Sequence, residues 1–74
     1  MTLGKQISRL RAAKGLSQED LANDLQVSRQ SISKWETDTS VPELAKLLTL
    51  SEVFGVTLAE LVKGPAGAAA PTLQ

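Results

Sequence analysis

The chain has 74 residues with eight cations against eight acids, one tryptophan and one phenylalanine, and neither cysteine nor histidine. That length allows one domain with one small core, and the missing residue types exclude disulfides, thiol or imidazole catalysis and thiolate or imidazole metal sites. No stretch approaches the roughly 18 apolar residues of a membrane span, and the N-terminus lacks a signal-peptide pattern, so a cytoplasmic chain without a cofactor is expected. Zero net charge argues only weakly against a nucleic-acid partner, because the charges are unevenly placed. Residues 1–16 hold Lys5, Arg9, Arg11 and Lys14 and no acid, whereas Glu19, Asp20 and Asp24 follow as a block.

Thr2 is placed to cap a first helix, in which Leu3, Ile7 and Leu10 recur at i, i+4 and i+7. Lys14 and Gly15 end it, a cation in the last turn followed by a helix stop. Ser17, with Asp20 three residues on, has the capping-box form and opens a second helix whose Leu21, Ala22 and Leu25 share one face. Only Gln26 and Val27 separate it from the next cap, Ser28, and a third helix runs to Glu36. After a polar loop over 37–40, Pro42 fits the first turn of a fourth helix, with Leu44, Leu47, Leu48 and Ser51 expected to face inward and Gly55 to end it. Thr57 caps a short fifth helix carrying Leu58, Leu61 and Val62. No window alternates as a strand would. Residues 64–74, GPAGAAAPTLQ, read as a flexible tail or linker. The expected fold is therefore all-α: five helices over residues 1–63, each too short to stand alone and sharing one core.

The third helix, in VSRQSISKWE (residues 27–36), divides into two faces. At roughly 100° per residue, Ile32 and Trp35 fall on one side with Ser28 between them, while Arg29, Gln30, Ser33 and Lys34 occupy the other. Arginine and lysine can donate to guanine, glutamine can donate to and accept from adenine, and serine serves either. All four lie in the first two turns, the part of a recognition helix that enters the major groove. By itself such a face is also what any solvated helix needs; the very tight connection to a short preceding helix favours the DNA reading. Trp35, beside Ile32, is expected in the core rather than against a base.

LSQEDLANDLQVSRQSISKWE (residues 16–36) resembles the helix-turn-helix of the phage-repressor-like Cro/C1, or Xre, transcriptional regulators. The similarity continues through VPELAKLLTLSEVFGVTLAELV (41–62) and begins with ISRLRAAKG (7–15). It implies a five-helix, lambda-repressor-like domain with the second and third helices as the DNA-binding pair. It also implies roles for single residues. Gln18, first in the second helix, would contact backbone phosphate, where free N–H groups already favour an anion. Ser28 would cap the third helix and touch phosphate. Thr39 and Ser40 would follow the DNA backbone, and Arg29, Gln30, Ser33 and Lys34 would read bases. Arg11 would pair with Glu36, a structural clamp between the first helix and the end of the third. Lys5, Arg9 and Lys14 are expected to be solvated, with a phosphate contact as the alternative for Arg9.

Two departures from the family pattern stand out. Thr37-Asp38 replaces the glycine common after the Trp-Glu pair, and the loop carries an acid and no cation. Aspartate tolerates the left-handed conformation a turn needs, but backbone affinity from this loop should be weak, which dimerisation would offset. The leading expectation is a sequence-specific DNA-binding regulator, a repressor acting as a homodimer on a palindromic operator in double-stranded DNA. Its pairing surface is expected around the fifth helix and the end of the fourth. The alternative is an antitoxin- or antirepressor-type module that holds a protein partner, and the tail could lead to a C-terminal effector domain. No nucleophile–base pair, phosphate loop or metal cluster supports an enzyme.

Overall fold

Residues 2–63, which the computed structural model describes, form α1 (Leu3–Ala13), α2 (Gln18–Leu25), α3 (Arg29–Glu36), α4 (Leu44–Phe54) and α5 (Leu58–Lys63). The tail reading for residues 64–74 lies outside the described residues. Hydroxyls decide four of the helix starts. Thr2 Oγ1 accepts from Lys5 N at 3.2 Å, Ser17 Oγ from Asp20 N at 3.0 Å, Ser28 Oγ from Ser31 N at 3.2 Å and Thr57 Oγ1 from Glu60 N at 3.0 Å. Each satisfies one of the amides that a helix start leaves without a partner.

The Ser17–Asp20 box closes in both directions, with Ser17 N donating to Asp20 Oδ2 at 3.0 Å. That backbone bond, and then the Ser17 hydroxyl, hold the Asp20 carboxyl below its ordinary pKa. A depressed folded-state value means that the stabilisation is present at neutral pH, above the unfolded value, and is lost as acid brings the pH down through the folded value. Glycines take the left-handed conformation after α1 and α4, Gly15 at φ 71° and Gly55 at φ 70°.

The core is Ile7, Leu21, Ala22, Leu25, Ile32, Trp35, Leu50, Phe54 and Leu61, so every helix contributes. α3 packs against both α1 and α2, and α5 closes the other end against α1 and α4. Two buried or half-buried polar side chains lock this arrangement. Gln6 is 1% exposed, yet its Nε2 donates to the Glu60 carbonyl at 3.1 Å and its Oε1 accepts from Arg9 Nε at 2.9 Å. Lys46 Nζ donates to the Leu25 carbonyl at 3.0 Å, capping the end of α2 from α4.

The fourth and fifth helices differ from the sequence expectation. α4 begins at Leu44 with Glu43 as N-cap and no side-chain capping bond, so the buried Pro42 precedes the helix instead of occupying its first turn. Its inward residues are Leu47, Leu50 and Phe54, while Leu44 is 62% and Leu48 47% exposed. Four leucines within seven positions, 44 to 50, offer two overlapping apolar stripes. The stripe ending in Phe54 wins because it places the larger side chain in the core, and the other is left facing solvent. In α5, around which pairing is expected, Leu61 is a core residue and Leu58 is half-buried, so of Leu58, Leu61 and Val62 only Val62 is exposed.

Gly4 sits where α1 meets the end of α3. A Cβ there would collide with the Trp35 carbonyl oxygen and lie 2.8 Å from the Glu36 carbonyl oxygen and 2.7 Å from Asp38 Oδ1. Alanine improves a helix by up to about 1 kcal/mol over glycine, but two of these neighbours are backbone atoms that cannot rotate away. Gly4→Ala is therefore expected to destabilise the domain by about 2 kcal/mol, within the range for overpacking. Urea unfolding of the variant beside the parent protein measures this; equal or greater stability in Gly4→Ala would contradict the close approach.

Candidate nucleic-acid interface

α3 owes its orientation to what lies behind and before it. Ile32 and Trp35 are buried, which turns Arg29, Gln30 and Lys34 outward; Ser33, beside them, is half-buried and its carbonyl accepts from Thr37 Oγ1 at 3.0 Å. The connection from α2 is short and bonded back to that helix. Gln26 takes the left-handed conformation at φ 58°, and Val27 N donates back to the Ala22 carbonyl at 3.0 Å. A non-glycine residue in that conformation is held by its surroundings. Three residues therefore suffice to turn the chain from one helix axis to the next.

At the far end of α3, Glu36 meets α1 and α2 together. Arg11 Nε donates to Glu36 Oε2 at 2.6 Å and Arg11 Nη2 to Oε1 at 3.3 Å, while Arg11 Nη1 reaches the Leu16 carbonyl at 2.8 Å. The pair is sheltered, with side-chain exposures of 19% for Arg11 and 8% for Glu36. Gln18 Nε2 donates to the same carboxylate, at 3.0 Å to Oε1. Gln18, at the start of α2, is thus tied to the last residue of α3, a contact that nothing in the spacing of the two residues signals.

Ser28 is exposed, and its hydroxyl caps α3 and lies 3.1 Å from Ser31 Oγ. In the loop, the Thr39 and Ser40 amides donate to the Lys34 carbonyl at 2.9 and 3.3 Å, so their exposed hydroxyls, rather than their backbone N–H groups, are available. Thr39 Oγ1 is itself 2.9 Å from Thr37 Oγ1. Asp38 takes the left-handed conformation at φ 60°, as the glycine-like position requires, and its Oδ1 accepts from Gly4 N at 3.0 Å. Its negative charge is therefore held against the positive end of α1. Its role as a second N-terminal cap for α1, 34 residues away in sequence, was not visible in the sequence.

The chain matches the family described as helix-turn-helix over residues 7–61, from α1 through α5. It belongs to the Cro/C1-type helix-turn-helix family. It is 42% identical over 64 residues to the HTH-type transcriptional activator BcrR of Enterococcus faecalis, covering 86% of this chain and 31% of that protein. It is 36% identical over 61 residues to the SPbeta prophage-derived regulator YonR of Bacillus subtilis (strain 168), covering 82% of this chain and 56% of that one. The chain thus spans about a third and about half the length of these two relatives. Among solved structures, the P22 c2 repressor in complex with synthetic operator 9T matches with a TM-score of 0.83 and 29% identity, covering 88% of this chain and 98% of that chain. SinR, a master regulator for biofilm formation crystallised with DNA, matches with a TM-score of 0.74 and 28% identity, covering 81% and 97%. This Cro/C1-type domain is accordingly a helix-turn-helix module of the transcriptional-regulator kind, with the all-α, five-helix lambda-repressor-like architecture. Among its described residues no helix is long and apolar enough to cross a membrane.

Proposed function

We propose that the chain is a sequence-specific regulator that places α3 in the major groove of double-stranded DNA, acts in the cytoplasm, and pairs as a homodimer on a near-palindromic operator. The observation that carries this reading is the exposure of Arg29, Gln30 and Lys34 on a helix whose opposite face is fixed by buried Ile32 and Trp35. Ser33 completes the base-reading set from a half-buried position. Gln18, Ser28, Thr39 and Ser40 would contact phosphates. Arg11 and Glu36 serve the frame rather than the DNA directly. Half-sites should lie about one helical turn, roughly 34 Å, apart. Repression by occupying a promoter needs nothing beyond this binding. The activator name of one relative makes the sign of regulation a separate measurement.

Arg29→Ala and Gln30→Ala are each expected to relax preference at one or two base pairs, at about 1–3 kcal/mol. Gln18→Ala should weaken binding to all sequences alike. Binding of each variant to a panel of single-base operator changes, after selection of bound sites from random DNA, tests the assignment. A uniform loss for both Arg29→Ala and Gln30→Ala would remove α3 as the reader.

The exposed Val41, Leu44, Leu48 and Val62 favour a second reading, in which the fold holds a protein partner in the manner of an antitoxin or antirepressor. The same surface is what a homodimer would have available. Salt separates DNA binding from apolar protein binding: the first weakens steeply as salt rises through counterion release, and the second does not.

A further inference from the structure

Glu36 accepts three hydrogen bonds: Arg11 Nε at 2.6 Å, Arg11 Nη2 at 3.3 Å and Gln18 Nε2 at 3.0 Å. A clamp between α1 and α3 needs only the two from Arg11. The third reaches the first residue of α2. A carboxylate can only accept, so it fixes which end of the Gln18 amide faces it. The nitrogen turns toward Glu36, and the second hydrogen on that nitrogen is left for another acceptor.

We propose that Glu36 is a positioning residue for phosphate binding: it holds the Gln18 amide so that the remaining N–H meets a DNA phosphate, while Arg11 cancels the carboxylate's charge and lets the anion approach. The inference rests on the reading of Gln18 as a phosphate contact. Arg11 and Glu36 are neutral as a unit, so they give DNA binding direction rather than attraction. Without Glu36, a half-buried glutamine with three rotatable bonds is ordered only when DNA arrives, at an entropic cost. Without Arg11, a bare carboxylate would stand one side chain away from the phosphate.

The test replaces the pair together. Arg11→Met with Glu36→Met removes one charge of each sign, so net charge is unchanged, and apolar replacement of a sheltered ion pair commonly keeps a fold as stable or more so. Affinity for a random-sequence DNA duplex is measured by fluorescence anisotropy for the parent, Gln18→Ala, the methionine pair and the triple variant, each shown by its melting curve to be folded at the assay temperature. Gln18→Ala is expected to weaken binding about tenfold, the value of one hydrogen bond to a charged acceptor. The methionine pair should lose nearly the same factor although Gln18 is intact, and the triple variant should be no weaker than either. Should the methionine pair not fold, the same cycle is read with Arg11→Gln and Glu36→Leu, which also leaves net charge unchanged and removes the acceptor that Gln18 uses. Parent-like binding by the paired variant, or an equal loss with and without Gln18, overturns the inference and leaves the Gln18–phosphate contact standing. Parent-like binding by Gln18→Ala removes that contact and the inference with it.

Discussion

Trp35→Ala is expected to leave the chain unfolded at room temperature. Trp35 is 7% exposed and belongs to the one cluster that joins all five helices. Truncating a buried tryptophan to alanine costs about 3–5 kcal/mol, through lost transfer energy and the cavity left behind. A domain of about 60 residues has a total stability of only about 3–9 kcal/mol. In the lower half of that range the loss takes most or all of the stability. α3 cannot remain ordered by itself, because isolated helices of eight residues are not stable in water. The presentation of Arg29, Gln30 and Lys34 thus depends on a residue that touches no DNA. Far-UV circular dichroism is the measurement, since the substitution removes the chain's one tryptophan fluorophore. A cooperative melt within a few degrees of the parent protein would show that the core closes over the gap. Ile32→Val, which removes one methylene and costs about 1 kcal/mol, should remain folded and serves as the control.

Glu36→Ala is expected to cost about 3 kcal/mol, the low end of the range for breaking a buried pair. Two facts set that magnitude. Glu36 is only 8% exposed, so its removal leaves the Arg11 charge in a sheltered place; but Arg11 keeps 19% of its side chain in contact with solvent and retains the Leu16 carbonyl. Gln18 also loses its acceptor. Thermal and urea unfolding of Glu36→Ala, set beside the paired methionine replacement, separates two accounts. A strongly destabilised single variant next to a stable paired one assigns the cost to a stranded charge. Equal destabilisation in both assigns it to the pair's own bonds.

The parts of this fold that the sequence disclosed are those governed by local chemistry. Thr2, Ser17, Ser28 and Thr57 announce helix starts because a hydroxyl must lie within three residues of the amide it caps. Ile7, Leu21, Ala22, Leu25, Ile32 and Trp35 repeat at helical spacing against polar neighbours, so their inward direction is unambiguous. α4 is ambiguous for the opposite reason. Leu44, Leu47, Leu48 and Leu50 are so dense that periodicity cannot choose a face; only the packing of Leu50 and Phe54 does. Gly4, Gln6, Lys46 and Asp38 carry contacts between residues 21 to 54 positions apart, or a close approach of two backbones, and no local pattern encodes these. The α3 face was legible as a polar arc. That Ser33 is half-buried, and that Gln18 leans on Glu36, follow only from how α1, α2 and α3 pack together.

The bond from Gly4 N to Asp38 Oδ1 gives the loop after α3 an internal gauge. An amide in the first turn of a helix ordinarily exchanges its hydrogen with water freely, because no carbonyl within the helix holds it. At Gly4 that proton exchanges only when Asp38 lets go. Its deuterium uptake therefore reports the opening equilibrium of a loop far along the chain. Slower uptake at Gly4 when DNA is added would register the loop tightening against the duplex, read out on a different helix and without a label near the DNA.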